Sequence, residues 1–339
     1  MAQYTEKELS EPVALCRRNG SLNPAAVGWS RRPLQTCNLR GRWPRKKKWN
    51  YWCVLDGRFA FSATIADVDY LGLAAVYFLD FEKRELLELT LPLPFGAGLS
   101  MGERVEEDVV FETKKLGISL KQLEGAIRIQ AKAPSMQEKK LAADILIDVP
   151  DGHETLNVAV PWNPKTFQFT SKQNCLPARG SVRIGDEIYE YDPETAFGVL
   201  DFGRGIWPYR TKWNWGSFSQ RRKDCIVGVN LGGKWTDGTG ANENSITLDG
   251  KLYKVMEDLV WVYDTKDFMK PWKIKTEHSD AIDLELTPFY DKQASVNLVF
   301  LGTKTHQCFG RFSGTLKAGG KKIEVENAVG WAEESISKW

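Results

Sequence analysis

The feature that most constrains this chain is a two-residue alternation that recurs along most of its length. Phe59, Phe61, Ala63 and Ile65 alternate with smaller residues. Ile127, Ile129 and Ala131 alternate with Arg128, Gln130 and Lys132, and Ile282, Leu284 and Leu286 with Asp283, Glu285 and Thr287. A period of two places successive side chains on opposite faces, so each run predicts a strand with one dry face. Asp56-Gly57, Asp151-Gly152 and Asp249-Gly250 sit between such runs and predict tight turns. The apolar run Leu259 to Tyr263 predicts a strand covered on both faces, and Val296 to Leu301 a further strand. No stretch of ten or more residues carries a convincing 3.6-residue period. Ala133 to Ala142 and the C-terminus from Ala332 are the best helical candidates. The expected fold is mainly β, with two tandem antiparallel lipocalin-like barrels or strongly curved sheets and few helices.

A chain of 339 residues exceeds what one core usually serves. Residues 1–45 are rich in turn formers and predict an irregular strap, in which Gly28 to Leu34 packs onto the body. A first barrel-like domain is expected over 46–178 and a second over 179–339. The boundary is placed where Asn174 to Gly185 loses its apolar period. The net charge of +2 argues against a nucleic-acid partner. The basic run Arg42 to Lys48 reads first as a solvated arm or loop, and second as a phosphate or membrane-surface contact. The N-terminus lacks an apolar stretch, so no signal peptide is predicted. No apolar run reaches the ~18 residues of a membrane span. The six cysteines form no C-x-x-C pair and the three histidines lie far apart. Together these features predict a cytoplasmic protein with reduced thiols, no integral membrane segment, no metal and no cofactor. The oligomeric state stays open.

Gly198 to Gln220 carries three of the thirteen tryptophans, Trp207, Trp213 and Trp215, with Asp201, Arg204, Tyr209 and Arg210. Aromatic faces beside fixed charges suit a ligand site, with indole N–H groups left to orient a polar head. Trp213 and Trp215 on a strand share one face. Arg204 and Arg210 suit a carboxylate or phosphate, or structural ion pairs with Asp201, Asp67 or Asp69. Asp67 and Asp69, two apart in I-A-D-V-D-Y, share a strand face if extended. Like charges that close prepare an acid–base pair, and hydrogen-bonded carboxylates at a strand end are the plainer reading. Asn230, before L-G-G, faces a pocket or caps a turn. The loop Thr236 to Asn244 lacks the G-K-[ST] ending of a phosphate loop.

The expected function is binding of a bulky, largely apolar small molecule in a tryptophan-lined pocket or inter-domain cleft, through Trp207, Trp213, Trp215, Tyr209, Arg204, Arg210 and Asn230. The alternative is a cofactor-independent hydratase or isomerase, with Asp201, Asp67 or Asp69 as the acid. Carbohydrate binding on exposed tryptophans is a third reading.

Four motifs, Gly20 to Leu34, Lys47 to Trp52, Ile65 to Tyr70 and Trp207 to Gly216, together resemble the family of domain of unknown function 2804 over nearly the whole chain. That resemblance implies no established activity. More distantly, Gly205, Trp207, Trp215 and Gly216 resemble the tryptophan-rich segment of tandem lipocalin-like (calycin) proteins related to carotenoid 1,2-hydratase. This likeness implies two barrels meeting near that segment.

Overall fold

The computed structural model describes residues 4–297 and 302–338. Strand pairing follows the alternation closely. Three short strands lie in the N-terminal strap: β1 (Val13–Ala14), β2 (Gly28–Ser30) and β3 (Gln35–Thr36). The first sheet then uses β4 (Lys46–Leu55), β5 (Phe59–Asp67), β6 (Leu71–Asp80), β7 (Glu85–Pro94), β8 (Val109–Glu112), β9 (Gly117–Leu123), β10 (Ala126–Met136), β11 (Lys139–Asp148), β12 (Leu156–Asn163), β13 (Thr166–Ile184), β14 (Glu187–Tyr191) and β15 (Phe197–Ile206). The second uses β16 (Arg210–Arg221), β17 (Ile226–Gly233), β18 (Ser245–Leu248), β19 (Lys251–Lys254), β20 (Leu259–Val262), β21 (Trp272–Thr276), β22 (Ile282–Asn297), β23 (Gly302–Ala318) and β24 (Lys321–Lys338).

The first sheet runs β7-β6-β5-β4-β15-β13-β11-β10-β9-β8, with β12, β14 and β2 added at its side. The second runs β19-β18-β17-β16-β24-β23-β22-β21-β20. Both are strongly curved and antiparallel, and each wraps its own apolar core. The expected pair of tandem curved sheets is the fold. A single 3₁₀ turn, Pro24–Ala26, is the only helical element among the described residues. The two helical candidates are strands: Ala133 to Ala142 is the β10–β11 hairpin, and Ala332 onward lies in β24. Cross-strand burial, with Ala133, Met136 and Leu141 inward, outweighs the helix propensity of Met136 to Ala142.

The seam between the sheets explains where alternation fails. In β4, Trp52 and Val54 enter the first core, while Cys53 and Leu55 join a second apolar cluster with Trp215, Phe309 and Trp331 of the second sheet. Strands at the seam therefore have two dry faces. Leu259 to Tyr263 is not such a strand. Its β20 lies at a sheet edge, with Val262 57% exposed. Of the Val296 to Leu301 segment, residues 298–301 lie outside the described residues.

The expected division at 178/179 falls inside β13. That strand is continuous from 166 to 184, with an irregularity between Gln173 and Leu176 where Cys175 takes a φ of +56°. The chain passes between sheets later, from Ile206 to Arg210, through Trp207. The strap reaches across both halves. Its β2 pairs with β12, and its Glu6 forms a buried ion pair with Lys254 of β19 at 2.5 Å. The basic run divides: residues 42–45 form a loop with Arg42 exposed, as expected, but the three lysines that follow do not. Lys46 to Lys48 open β4, Lys46 pairs with Asp69 at 3.0 Å, and buried Lys47 donates to the carbonyls of Pro44 and Val68.

Long strands must bend sharply to close around such cores, and glycine permits it at two matching places. Gly180 in β13 has a φ of +126° and Gly314 in β23 a φ of +138°. A Cβ at Gly314 would fall 2.1 Å from the carbonyl oxygen of Asp283, and one at Gly180 2.2 Å from that of Asp144. Because both obstacles are backbone, Gly314→Ala should cost about 1–3 kcal/mol. Gly57→Ala, with open space around it, should be close to neutral. Urea unfolding of the two variants checks this.

Candidate functional site

The register brings two rows of side chains face to face across the seam. In the first sheet Tyr51, Asp201 and Lys172 are direct cross-strand neighbours on β4, β15 and β13. In the second, Gln307, Glu333 and Trp215 are neighbours on β23, β24 and β16. The Lys172 ammonium sits 4.1 Å above the Trp215 ring and the Tyr51 hydroxyl accepts from Gln307 Nε2 at 3.1 Å, so the rows touch.

Lys172 is buried, yet its Nζ has two carboxylate partners, Asp201 at 2.9 Å and Glu243 at 3.3 Å. Burial works against the ammonium, but the attraction of Asp201 and then Glu243 outweighs it and holds its pKa above the ordinary value. Glu243 itself is held above its ordinary range by burial, with Lys172 opposing. Glu333 carries the larger consequence. Burial pushes its pKa up to about 7, and the charge on Asp201 adds to the rise. The Trp213 N–H, which donates to Oε1 at 2.8 Å, and Lys172 oppose it without cancelling it. Lys172 thus pairs with two carboxylates, and Glu333 beside them gives up its proton only around neutrality.

Indoles frame this cluster. Trp215 donates to Asn230 Oδ1 at 2.8 Å, and Asn230 Nδ2 donates to the Glu243 carbonyl at 2.6 Å. Trp235 donates to Glu243 Oε1 at 2.6 Å, and its carbonyl accepts from Trp162 at 2.8 Å. Trp207 donates to Gln168 at 2.7 Å and lies among Trp49, Trp162, Trp213 and Trp235, with centroids 5.1–6.1 Å away. These N–H bonds fix the ring planes, so the aromatic walls are rigid.

Of the residues singled out in the sequence, Asp201, Trp213, Trp215 and Asn230 converge here, with Trp207 against Trp213. Asn230 lies within β17 rather than in a turn. The others go elsewhere. Arg204 points into the first barrel, where its guanidinium donates to the carbonyls of Trp49, Gly203 and Gly102 and to Asn50 Oδ1. Burial lowers its pKa to about 10, and carbonyls rather than Asp201, Asp67 or Asp69 satisfy it. Asp67 and Asp69 do not share a strand face. Asp69 lies in the β5–β6 turn at a φ of +77°, where it accepts from Lys46 N, while Asp67 accepts from Asp69 N. They close a hairpin. Tyr209 is 37% exposed beside Arg45, and Arg210 is exposed at the start of β16.

Sequence reasoning missed Lys172, Glu243, Glu333, Trp162 and Trp235. The one available signal was a lone charge inside an apolar strand, as in F-T-S-K-Q and V-G-W-A-E-E.

With this geometry in view, comparison with known proteins bears on the family. The model of the Domain of unknown function (DUF2804) matches residues 6–339. The chain belongs to the DUF2804 family. None of the curated proteins matches it by sequence. Among solved structures, CghA with Sch210972 is similar at a TM-score of 0.55 and 14% identity, covering 86% of this chain and 88% of that one. Kievitone hydratase from Nectria haematococca is similar at 0.53 and 12%, covering 89% and 94%. At these identities the likeness is one of fold, and it extends over both halves of this DUF2804 protein. No helix among the described residues is long and apolar enough to cross a membrane.

The raised pKa of Glu333 has a sign that can be tested. Between about pH 4.5, the ordinary glutamate value, and about pH 7 the folded state holds a proton that the unfolded chain has lost. Stability therefore falls as pH rises through this window. The loss from this group is on the order of 3 kcal/mol. Glu333→Gln should leave stability nearly unchanged around pH 5 and raise it around pH 8, read as the difference in urea midpoints.

Proposed function

We propose that this DUF2804 protein binds a bulky, largely apolar, unsaturated small molecule at the seam and moves a proton on it, as a cofactor-independent hydratase or isomerase does. The observation that carries the reading is Glu333, a buried carboxyl whose pKa is pushed up to about 7, held by the Trp213 N–H and set across the strand pair from Trp215. A plain binding pocket gains nothing from such a group, whereas proton transfer to carbon needs it.

The chemistry follows from the charges present. The Glu333 carboxyl donates its proton to one carbon of a polarised double bond and becomes a carboxylate. The face of Trp213 stabilises the cation that develops on the other carbon, because that of Trp215 already carries the Lys172 ammonium. In hydration, water forms a C–O bond there and gives its surplus proton to a carboxylate of the cluster, Asp201 or Glu333. In isomerisation, a neighbouring C–H gives up its proton instead. Lys172 keeps Asp201 and Glu243 paired, so Glu333 is the group left to carry the exchangeable proton. This moves the acid from Asp201, Asp67 and Asp69 to Glu333. The tryptophans expected to bind ligand become the walls of the same site. One fold neighbour is named a hydratase, but the reading rests on the cluster. Carbohydrate binding loses support because Trp207 and Trp215 are buried.

The test is incubation of metabolite extract from a producing cell with the protein in ¹⁸O-labelled water and, separately, in D₂O. Molecules that gain labelled water or deuterium with wild type, and not with Glu333→Gln, are expected. Label incorporation that is equal with both proteins, or that occurs with neither, overturns the proposal.

A further inference from the structure

Alternation along β24 turns Glu333 toward the seam and Glu334 the other way, into the mouth of the second barrel. There Glu334 lines a separate cavity of about 460 Å³, with Lys212, Lys234, Lys304, Phe268 and His306. This volume is in the range of small-molecule sites. Nothing in the seam chemistry uses it.

Three observations in this cavity point to a ligand. The first is His306, whose side chain is nine-tenths buried. Its Nδ1 lies 2.8 Å from Asp291 Oδ2, and its ring stacks on Phe268 at 3.9 Å and 14°. The ring is thus locked in orientation. Its Nε2, on the far side from Asp291, is buried and has no hydrogen-bond partner. A buried polar atom without a partner carries a free-energy cost that a ligand atom would relieve. The second is charge. Three lysines and one carboxylate line the cavity, and Glu334 is already engaged by Lys234 at 2.5 Å, while Asp291, which does not line it, is engaged by His306. Lys212 and Lys304 therefore give the mouth a cationic excess. The third is the apolar surface of Phe268 together with Ile336, which is 38% exposed although it is a large aliphatic side chain.

We infer that the mouth of the second barrel is a binding site for a small carboxylate-bearing molecule with an apolar body. The carboxylate sits between Lys212 and Lys304, within reach of His306 Nε2. That nitrogen accepts from a protonated head and, when itself protonated, donates to an ionised one. The apolar body lies against Phe268 and Ile336. The site is independent of the seam, so its occupation does not require Glu333.

Decanoate is the probe. Its binding is followed by calorimetry and by the ring proton resonances of the histidines, of which the chain has three. Binding should shift the His306 signals and leave those of His153 and His278 in place. Lys304→Glu and Lys212→Glu, both at exposed positions that tolerate substitution, should each weaken binding about tenfold or more, and His306→Gln should weaken it as well. Glu333→Gln should bind as wild type does. The inference is overturned if decanoate does not bind, if it binds without moving the His306 signals, or if Glu333→Gln abolishes binding while the lysine variants keep it. The last result would place the ligand in the seam. None of these outcomes decides whether Glu333 transfers a proton.

Discussion

The structure depends on one constraint: two curved sheets share a seam, and the strands at that seam must be dry on both faces. Each sheet already has a core of its own. Fusing them back to back requires a second apolar surface on β4, β15, β16, β23 and β24. The chain meets this requirement with tryptophan, tyrosine and phenylalanine, which remove large areas from water per residue. Two aromatic clusters result, one around Trp215 and Trp331 and one around Trp29 and Trp235.

A dry seam makes any charge within it costly unless that charge is paired. Lys172 is tolerable because Asp201 and Glu243 hold its ammonium and Trp215 lies beneath it. Lys172 is engaged by two carboxylates, and together with Lys292 it offsets only part of the effect of burial on Glu333, which therefore ionises late. The unusual acidity of the site is therefore a direct result of how the halves are joined. Replacing Lys172 with a neutral residue would leave buried Glu243 and half-buried Asp201 without their cation, so the lysine holds the seam together as much as it tunes Glu333. The strap belongs to the same design, because its Glu6–Lys254 pair and the β2–β12 ladder tie the N-terminus to both halves.

Much of the fold was legible in the residues. The strand class, the hairpins at Asp56-Gly57 and Asp249-Gly250 and the tandem arrangement all follow from alternation and turn chemistry, which act over a few residues. The misreadings share one cause. Ala133 to Ala142, the end of β24, the stretch from Asn174 and the lysines Lys46 to Lys48 each have a local composition that suggests helix, linker or solvated arm. Each is overruled by partners far away in sequence. For the site, the tryptophan-rich segment was recognisable because its composition is extreme. Asp67, Asp69 and Arg204 looked functional because charges in apolar strands usually need a reason. The reason in each case is local hydrogen bonding, to a turn or to carbonyls, which composition does not reveal.

What the sequence determined by itself is periodicity, family membership and the richness of one segment in indoles, because all three are written in consecutive residues. Only the tertiary structure decided that Lys172, Asp201, Glu243 and Glu333 form one electrostatic unit. These residues lie on two different sheets and in a connecting loop, and none stands in a motif. Their common environment is set by strand register and by the closure of the seam. A pKa is a property of that shared, desolvated volume and not of any residue within it, so it comes into being only when the two halves meet.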